Sequence, residues 1–342
     1  MLPGIFIGGT GRSGTGILHE ALGCHEAIFA LAPGEMRFLI DPDGLISLVD
    51  TLTVRYSPVQ AREALFRFER LMNVYLTVSP KAPYKGYDLA HCLGGEYYWR
   101  RLDEFCDELT DLEYDGTDLQ VEPEHNRLMG WAREVQRNLK KLPCLASIHT
   151  HTRLSMPRTK LKVVKYFPDR TRLMKVVATF VGDLFRHAAK QRGKETWCEK
   201  TPLNILHIDF LWELFPESAI IHIKRDPRGV VYSLNRQFWA PHDVRGACMF
   251  LKGIYDHWFN LKSKIDLDKH RYLEVKLEDL AAAPRAVLEQ ITFLCGVDNN
   301  FINLPNIRLD KVDYWKEEMP KTDKELVTTI LGSYIEMMDY VI

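Results

Sequence analysis

Short apolar runs alternate along the chain with segments whose apolar residues recur every three or four positions. That pattern predicts a largely parallel sheet with helices laid over it. Ile5-Phe6-Ile7 is the first buried-strand candidate; a glycine-rich turn follows, and Gly14 to Leu22 reads as a helix. A short strand is expected near residues 196–198, and Leu203-Asn204-Ile205-Leu206 opens a helix running to about Phe215. Ser218 to Ile223 is the clearest strand, with a helix from about Arg228, and Tyr272-Leu273-Glu274-Val275 is a further strand. Pro284 suits the first turn of a helix, where its missing N–H costs nothing, and that helix should end near Cys295-Gly296.

Between about 55 and 190 the strand–helix rhythm is lost. Ser57-Pro58 opens a helix with proline at its first position, and Leu65, Phe68, Leu71 and Met72 give that helix one buried face. The prediction is an α/β fold in one domain over 1–342, with a mostly helical insertion at about 55–190. Within the insertion, residues 101–125 hold ten acidic side chains and one basic, whereas 126–175 hold thirteen basic and two acidic. Two solvated faces that attract each other explain this, and so does a basic wall that steers an anionic partner.

Composition narrows the classes. The 342 residues are 46% hydrophobic and 27% charged with a formal net charge of −1, which excludes a disordered or coiled-coil chain. There is no basic excess to point to nucleic acid. No apolar run approaches the roughly 20 residues that a membrane span needs. Met1-Leu2-Pro3-Gly4 enters the first strand without a basic n-region, so no signal peptide is predicted. Seven cysteines without a CxxC pair are expected to be mostly buried free thiols, and cytoplasm is the expected compartment.

The chemistry begins at Gly8-Gly9-Thr10-Gly11-Arg12-Ser13-Gly14-Thr15-Gly16, between a buried strand and a helix. Backbone N–H groups in such a turn converge, and the helix N-terminus adds about half a positive charge, so the loop suits an anion. Laid on G-x-x-x-x-G-K-[ST], Gly9 to Gly14 put Thr15 at the lysine and Gly16 at the magnesium hydroxyl. Both requirements of γ-phosphoryl transfer fail together, which disfavours a small-molecule kinase. A G-x-G-x-x-G does occur at Gly9 to Gly14, but a dinucleotide enzyme also needs an acidic residue closing a second strand, and Glu35 follows Pro33-Gly34.

Arg12-Ser13-Gly14-Thr15 after a Gly-Gly strand end resembles the 5′-phosphosulfate loop of sulfotransferases, which use 3′-phosphoadenylyl sulfate (PAPS) as donor. The arginine resembles that of bacterial and tyrosylprotein sulfotransferases. Gly16 departs from the second threonine of many members. The resemblance implies a P-loop-type parallel sheet flanked by helices, with Gly11, Arg12, Ser13, Gly14, Thr15 and Gly16 around the donor's 5′ end.

Three further elements are similar to the same family. In Ile221 to Ser233, Arg225 at a strand end and Ser233 eight residues later match the pair that grips the 3′-phosphate, a sensible pairing for a dianion; Arg228 is the alternative contact. Glu199-Lys200-Thr201-Pro202 resembles the Lys-[Thr/Asp]-Pro element, which implies that Lys200, with Arg12, stabilises charge on the departing oxygen. Gly34-Glu35-Met36-Arg37 resembles a Glu-x-Arg element that implies Glu35 as general base and Arg37 as its holder or the acceptor's; a surface ion pair of Glu35 with Arg37 is the plain alternative.

His149-Thr150-His151 lacks a third ligand at metal spacing, so either histidine enters only as a competing base. Tyr272 to Leu294 matches the strand–loop–helix that follows the 3′-phosphate element. Lys311 to Lys316 resembles a loop closing over the nucleotide, with Lys311 on phosphate and Trp315 over the adenine. The resemblance therefore implies a metal-independent transfer of a sulfuryl group to a hydroxyl on a glycan, lipid, natural product or peptide tyrosine. It places acceptor selection in the insertion and leaves oligomeric state open; a non-catalytic nucleotide-binding protein is the remaining alternative class.

Overall fold

Five parallel strands form the main sheet in the computed structural model, which describes residues 2–31, 34–74, 89–116, 159–307 and 309–342. They are β1 (Ile5–Gly8), β2 (Ile28–Ala30), β5 (Thr196–Lys200), β6 (Ala219–Lys224) and β7 (Tyr272–Lys276), in the spatial order β2-β5-β1-β6-β7. Ile5 pairs with Cys198 on one side and Ala219 on the other, so the strand feeding the glycine loop lies in the middle. All four residues of β1 and all six of β6 are buried, as expected for a parallel sheet covered on both faces. β2 was not legible in advance: three residues on an edge carry no periodicity.

The helices of the first half are α1 (Thr15–Gly23), α2 (Leu45–Thr53), α3 (Pro58–Val74), α4 (Leu89–Cys92), α5 (Glu96–Glu108) and α6 (Arg170–Lys190). Those of the second half are α7 (Ile208–Leu214), α8 (Pro227–Leu234), α9 (Val244–Lys262), α10 (Leu277–Ala282), α11 (Pro284–Cys295), α12 (Leu309–Asp313), α13 (Trp315–Glu318) and α14 (Lys321–Met337). Pro58, Pro227 and Pro284 each stand at the first position of their helices, and Gly296 ends α11 in the left-handed conformation at φ 68°. The segment after Lys200 differs from expectation. Pro202–His207 is a 3-10 turn, and the α-helix starts only at Ile208.

Between 55 and 190, α3 to α6 are joined by an antiparallel pair, β3 (Thr110–Gly116) and β4 (Thr159–Val164), which the charge pattern did not announce. Where described, the oppositely charged stretches do meet. Glu113 lies opposite Lys162 in the ladder, and Asp115 pairs with Lys160 at 3.2 Å. Phe68 at the centre of α3 stacks edge-on with Phe105 and Phe180, tying α3, α5 and α6 into one core that continues to Phe6 and Trp197 of the sheet. The other sheet face packs Leu18 and Leu22 of α1 against Ile221, Ile223 and Leu288. These layers fix the C-terminal ends of β1, β5 and β6 side by side, where an open parallel sheet places its ligands. His149 and His151 lie outside the described residues.

Candidate active site

The glycine loop leaves β1 at Gly8 and enters α1 at Thr15, and its backbone is forced into unusual conformations. Gly11 and Gly14 have φ of 74° and 103°, and between them Arg12 has φ 59°. A side-chain-bearing residue held left-handed costs about 1 kcal/mol and persists where surroundings dictate it. Here Arg12 Nε donates to Ser233 Oγ at 3.0 Å, and the Arg12 carbonyl accepts from Arg225 Nη1 at 3.2 Å. Residues taken from the loop, the end of β6 and helix α8 are thereby brought into one place.

Arg225 is buried, and its Nη2 donates to Val312 O at 2.6 Å while its Nε has no partner. Burial first, then the Arg12 charge, lower its pKa from the usual guanidinium value, yet an arginine stays cationic. Two more buried polar atoms nearby are unpartnered, Ser13 Oγ and Trp315 Nε1. Gly229 explains how two of them meet. A side-chain carbon there would lie 2.9 Å from Arg225 Nε and 3.0 Å from Trp315 Nε1, so only glycine leaves both N–H groups room. Unsatisfied buried donors around a glycine are costly unless a ligand takes them. Such donors suit an anionic ligand.

Beside them opens a cavity of about 280 Å³ lined by Ile17, Arg225, Leu277, Ile307, Lys311 and Val312, among others. Lys311 and Arg225 thus line the same cavity. Trp315 is not brought to that wall. It is packed into the core of α8, α9 and α14, with the Arg228 guanidinium 4.8 Å over its ring. Arg228 in turn is committed to Asp226, through Nε at 3.0 Å and Nη2 at 2.7 Å.

On the other side of the loop, Lys200 ends β5 with Nζ 3.2 Å from Glu35 Oε1. Gly34 precedes Glu35 with φ 126°, a conformation that residues with side chains rarely adopt, and a side-chain carbon there would lie 3.6 Å from Lys200 Nζ. Arg37 Nε pairs with Asp41 Oδ2 at 2.7 Å, one turn further along. Thr15 is buried at the start of α1, whereas Gly16 faces open space.

Two neighbours were not singled out from the sequence. His19, one turn along α1, places Nε2 3.3 Å from Cys198 O; burial, then the Lys200 charge, lower its pKa to about 4, so it is neutral near pH 7. Glu199 is fully buried beside Lys200, and burial pushes its carboxyl up to about 7 against the pull of Thr201, Met36 and Asn204. A lone histidine in a helix and a glutamate inside a strand give no sequence signal of such contacts. Among the described residues no group of three or more His, Cys, Asp or Glu side chains is placed to hold a metal ion, and no helix is long and apolar enough to cross a membrane.

The sequence profile described as the sulfotransferase family matches residues 118–300, more than half of the chain. The chain belongs to the sulfotransferase family. The match takes in Lys200, Arg225 and Ser233 and begins downstream of the glycine loop and Glu35. The chain is 28% identical over 138 residues to the omega-hydroxy-beta-dihydromenaquinone-9 sulfotransferase Stf3 of Mycobacterium bovis, and to the protein of that name from Mycobacterium tuberculosis. That stretch spans 36% of this chain and 35% of each relative. Among solved structures it is similar to the sulfotransferase domain of the Synechococcus PCC 7002 olefin synthase, at TM-score 0.47 and 18% identity over 96% of this chain and 94% of that one. It is also similar to sulfotransferase STF9 of Mycobacterium avium, at TM-score 0.42 and 15% identity over 100% of this chain and 78% of that one.

Proposed function

We propose that this sulfotransferase moves a sulfuryl group from PAPS to a hydroxyl acceptor and releases adenosine 3′,5′-bisphosphate. The observation that carries the reading is the convergence of Arg12, Ser233 and Arg225, with unpartnered buried donors, on one side of a loop whose other side faces the Lys200–Glu35 pair. When bound, the donor supplies an activated SO3 unit on a phosphate leaving group.

The chain's own residues divide the work. Backbone N–H groups of 11–16, with the Arg12, Ser13 and Thr15 side chains, hold the 5′ end at the start of α1. Arg225 and Ser233 hold the 3′-phosphate and so select PAPS over ATP, with Lys311 reaching in from the cavity wall. Trp315 serves in this reading through its indole N–H beside Arg225, not by laying its ring over the adenine. Glu35 takes the acceptor proton as the oxygen attacks in line. Lys200 and Arg12 stabilise the negative charge that grows on the bridging oxygen. Fixed cations supply that stabilisation in this scheme. Acceptor choice falls to the region of 55–190, whose basic stretch favours an anionic hydroxyl compound.

Incubation with labelled PAPS and a panel of glycan, lipid, phenolic and peptide hydroxyls tests the reading, with labelled ATP and magnesium as the control. Transfer from PAPS is expected. Transfer from ATP alone, or no occupancy by adenosine 3′,5′-bisphosphate, contradicts it.

A further inference from the structure

We infer that Glu199 is a positioning residue for this reaction: its buried carboxylate holds the Glu35 segment opposite Lys200. The inference rests on the reading of Glu35 and Lys200 just given. Glu199 Oε1 accepts from Met36 N at 2.9 Å and from Thr201 Oγ1 at 2.6 Å. Glu199 Oε2 accepts from Asn204 Nδ2 at 2.5 Å, and the same amide nitrogen lies 3.3 Å from Ile7 O at the end of β1. The turn that carries Asn204 is also tied to the glycine loop, because Gly9 N donates to Pro202 O at 2.7 Å.

The carboxylate therefore joins the Glu35 loop to the turn after Lys200, and Asn204 of that turn reaches on to the strand that feeds the donor loop. The geometry is a pincer. Consecutive residues of β5 grip consecutive residues of the loop, Lys200 taking the Glu35 side chain and Glu199 the Met36 backbone N–H. Successive strand residues point to opposite faces, so the two grips approach from different sides and fix the loop's height and its rotation.

A carboxylate is an unfavourable choice for a site with no solvent exposure unless donors surround it. A glutamine of the same shape offers one acceptor oxygen; a carboxylate offers two and no donor, which is what three converging donors require. Simple core filling would not select this group.

Three variants test the role through kcat and through calorimetric affinity for adenosine 3′,5′-bisphosphate. Glu199→Asp keeps the charge but withdraws the oxygen from Met36 N, and should lower kcat about 10-fold or more with nucleotide affinity within about 3-fold. Glu199→Gln keeps an acceptor for Met36 N but turns a second donor toward the Asn204 amide, and should lower kcat by about 3-fold, less than the Asp variant. Because Glu199 acts through Glu35, the Asp penalty should shrink to within about 2-fold in a Glu35→Gln background. An undiminished penalty there, or a parallel loss of nucleotide affinity, overturns the positioning role while leaving the site reading intact. A fully active Glu35→Gln enzyme overturns both. If Glu199→Asp does not fold, the same cycle with Glu199→Gln decides, and a kcat loss that persists beside Glu35→Gln rejects the role.

Discussion

Arg12 and Ser233 lie 221 residues apart in the chain and are joined by a 3.0 Å hydrogen bond. That bond brings the proposed 5′ grip on the loop before α1 together with the proposed 3′ grip on α8, and Arg225 adds a second tie through the Arg12 carbonyl. The two grips act as one surface, so each can be tested by what it does to the other's ligand.

Arg225→Ala should weaken adenosine 3′,5′-bisphosphate by about 10-fold or more, the magnitude expected for a buried charge-assisted contact, with a smaller change in kcat at saturating donor. Lys200→Met should do the reverse, lowering kcat by about 100-fold or more while nucleotide affinity stays within about 3-fold. Calorimetry and steady-state kinetics on both variants check the pair of outcomes. Equal losses of both parameters in both variants would remove the division of roles.

Glu35→Gln should lower kcat by about 100-fold or more at saturating acceptor, the usual worth of a positioned base, and Arg37→Ala by much less. The contrast follows from their contacts, because Glu35 faces Lys200 while Arg37 pairs with Asp41. Rate measurements at fixed donor separate them, and comparable losses from the two substitutions would contradict the assignment.

Gly16 is the position where steric cost and chemical gain point the same way. It lies in the first turn of α1, and a side-chain carbon there would meet nothing within 4 Å. Gly16→Ala should stabilise the fold by roughly 0.5–1 kcal/mol through helix propensity. Gly16→Thr should in addition tighten adenosine 3′,5′-bisphosphate binding by restoring a hydroxyl at the helix N-terminus. Thermal melts and calorimetry check these, and weaker binding by the threonine variant would oppose the placement of the 5′ end.

His19 gives a pH signature. Its folded pKa of about 4 lies below the unfolded value of 6.5, so the stability linked to its neutral ring is complete above pH 6.5 and is lost as pH falls toward 4. Against a His19→Gln variant, the parent should lose up to roughly 3 kcal/mol across that window. Glu199, with its carboxyl raised to about 7, acts with the opposite sign as pH rises from its ordinary value of 4.5, but it does so in both proteins and cancels. Urea titrations between pH 4 and 7 check the difference, and parallel curves would contradict it.

The fold was legible wherever apolar runs were long. β1, β5, β6 and β7 fall where the pattern put them, and Pro58 and Pro284 mark real helix starts. β2 and the β3–β4 pair escaped notice, the first because three edge residues have no period, the second because β3 has only Leu112 and Tyr114, both exposed, within a run of acidic residues. At the site, glycine spacing and the Arg225–Ser233 interval pointed to residues that the fold does assemble. Contacts that depend on tertiary approach were invisible: Lys200 with Glu35, Glu199 with Met36 N, and the burial of Trp315 under Arg228. No local pattern encodes which of two neighbouring cations a glutamate will face.

The most direct test is calorimetry of the protein with adenosine 3′,5′-bisphosphate and with adenosine 5′-monophosphate, each with and without magnesium. Two joined anion grips predict tight binding of the bisphosphate, at least about 30-fold weaker binding of the monophosphate, and no dependence on magnesium. Equal affinity for the two nucleotides, or no binding of the bisphosphate, would contradict the account.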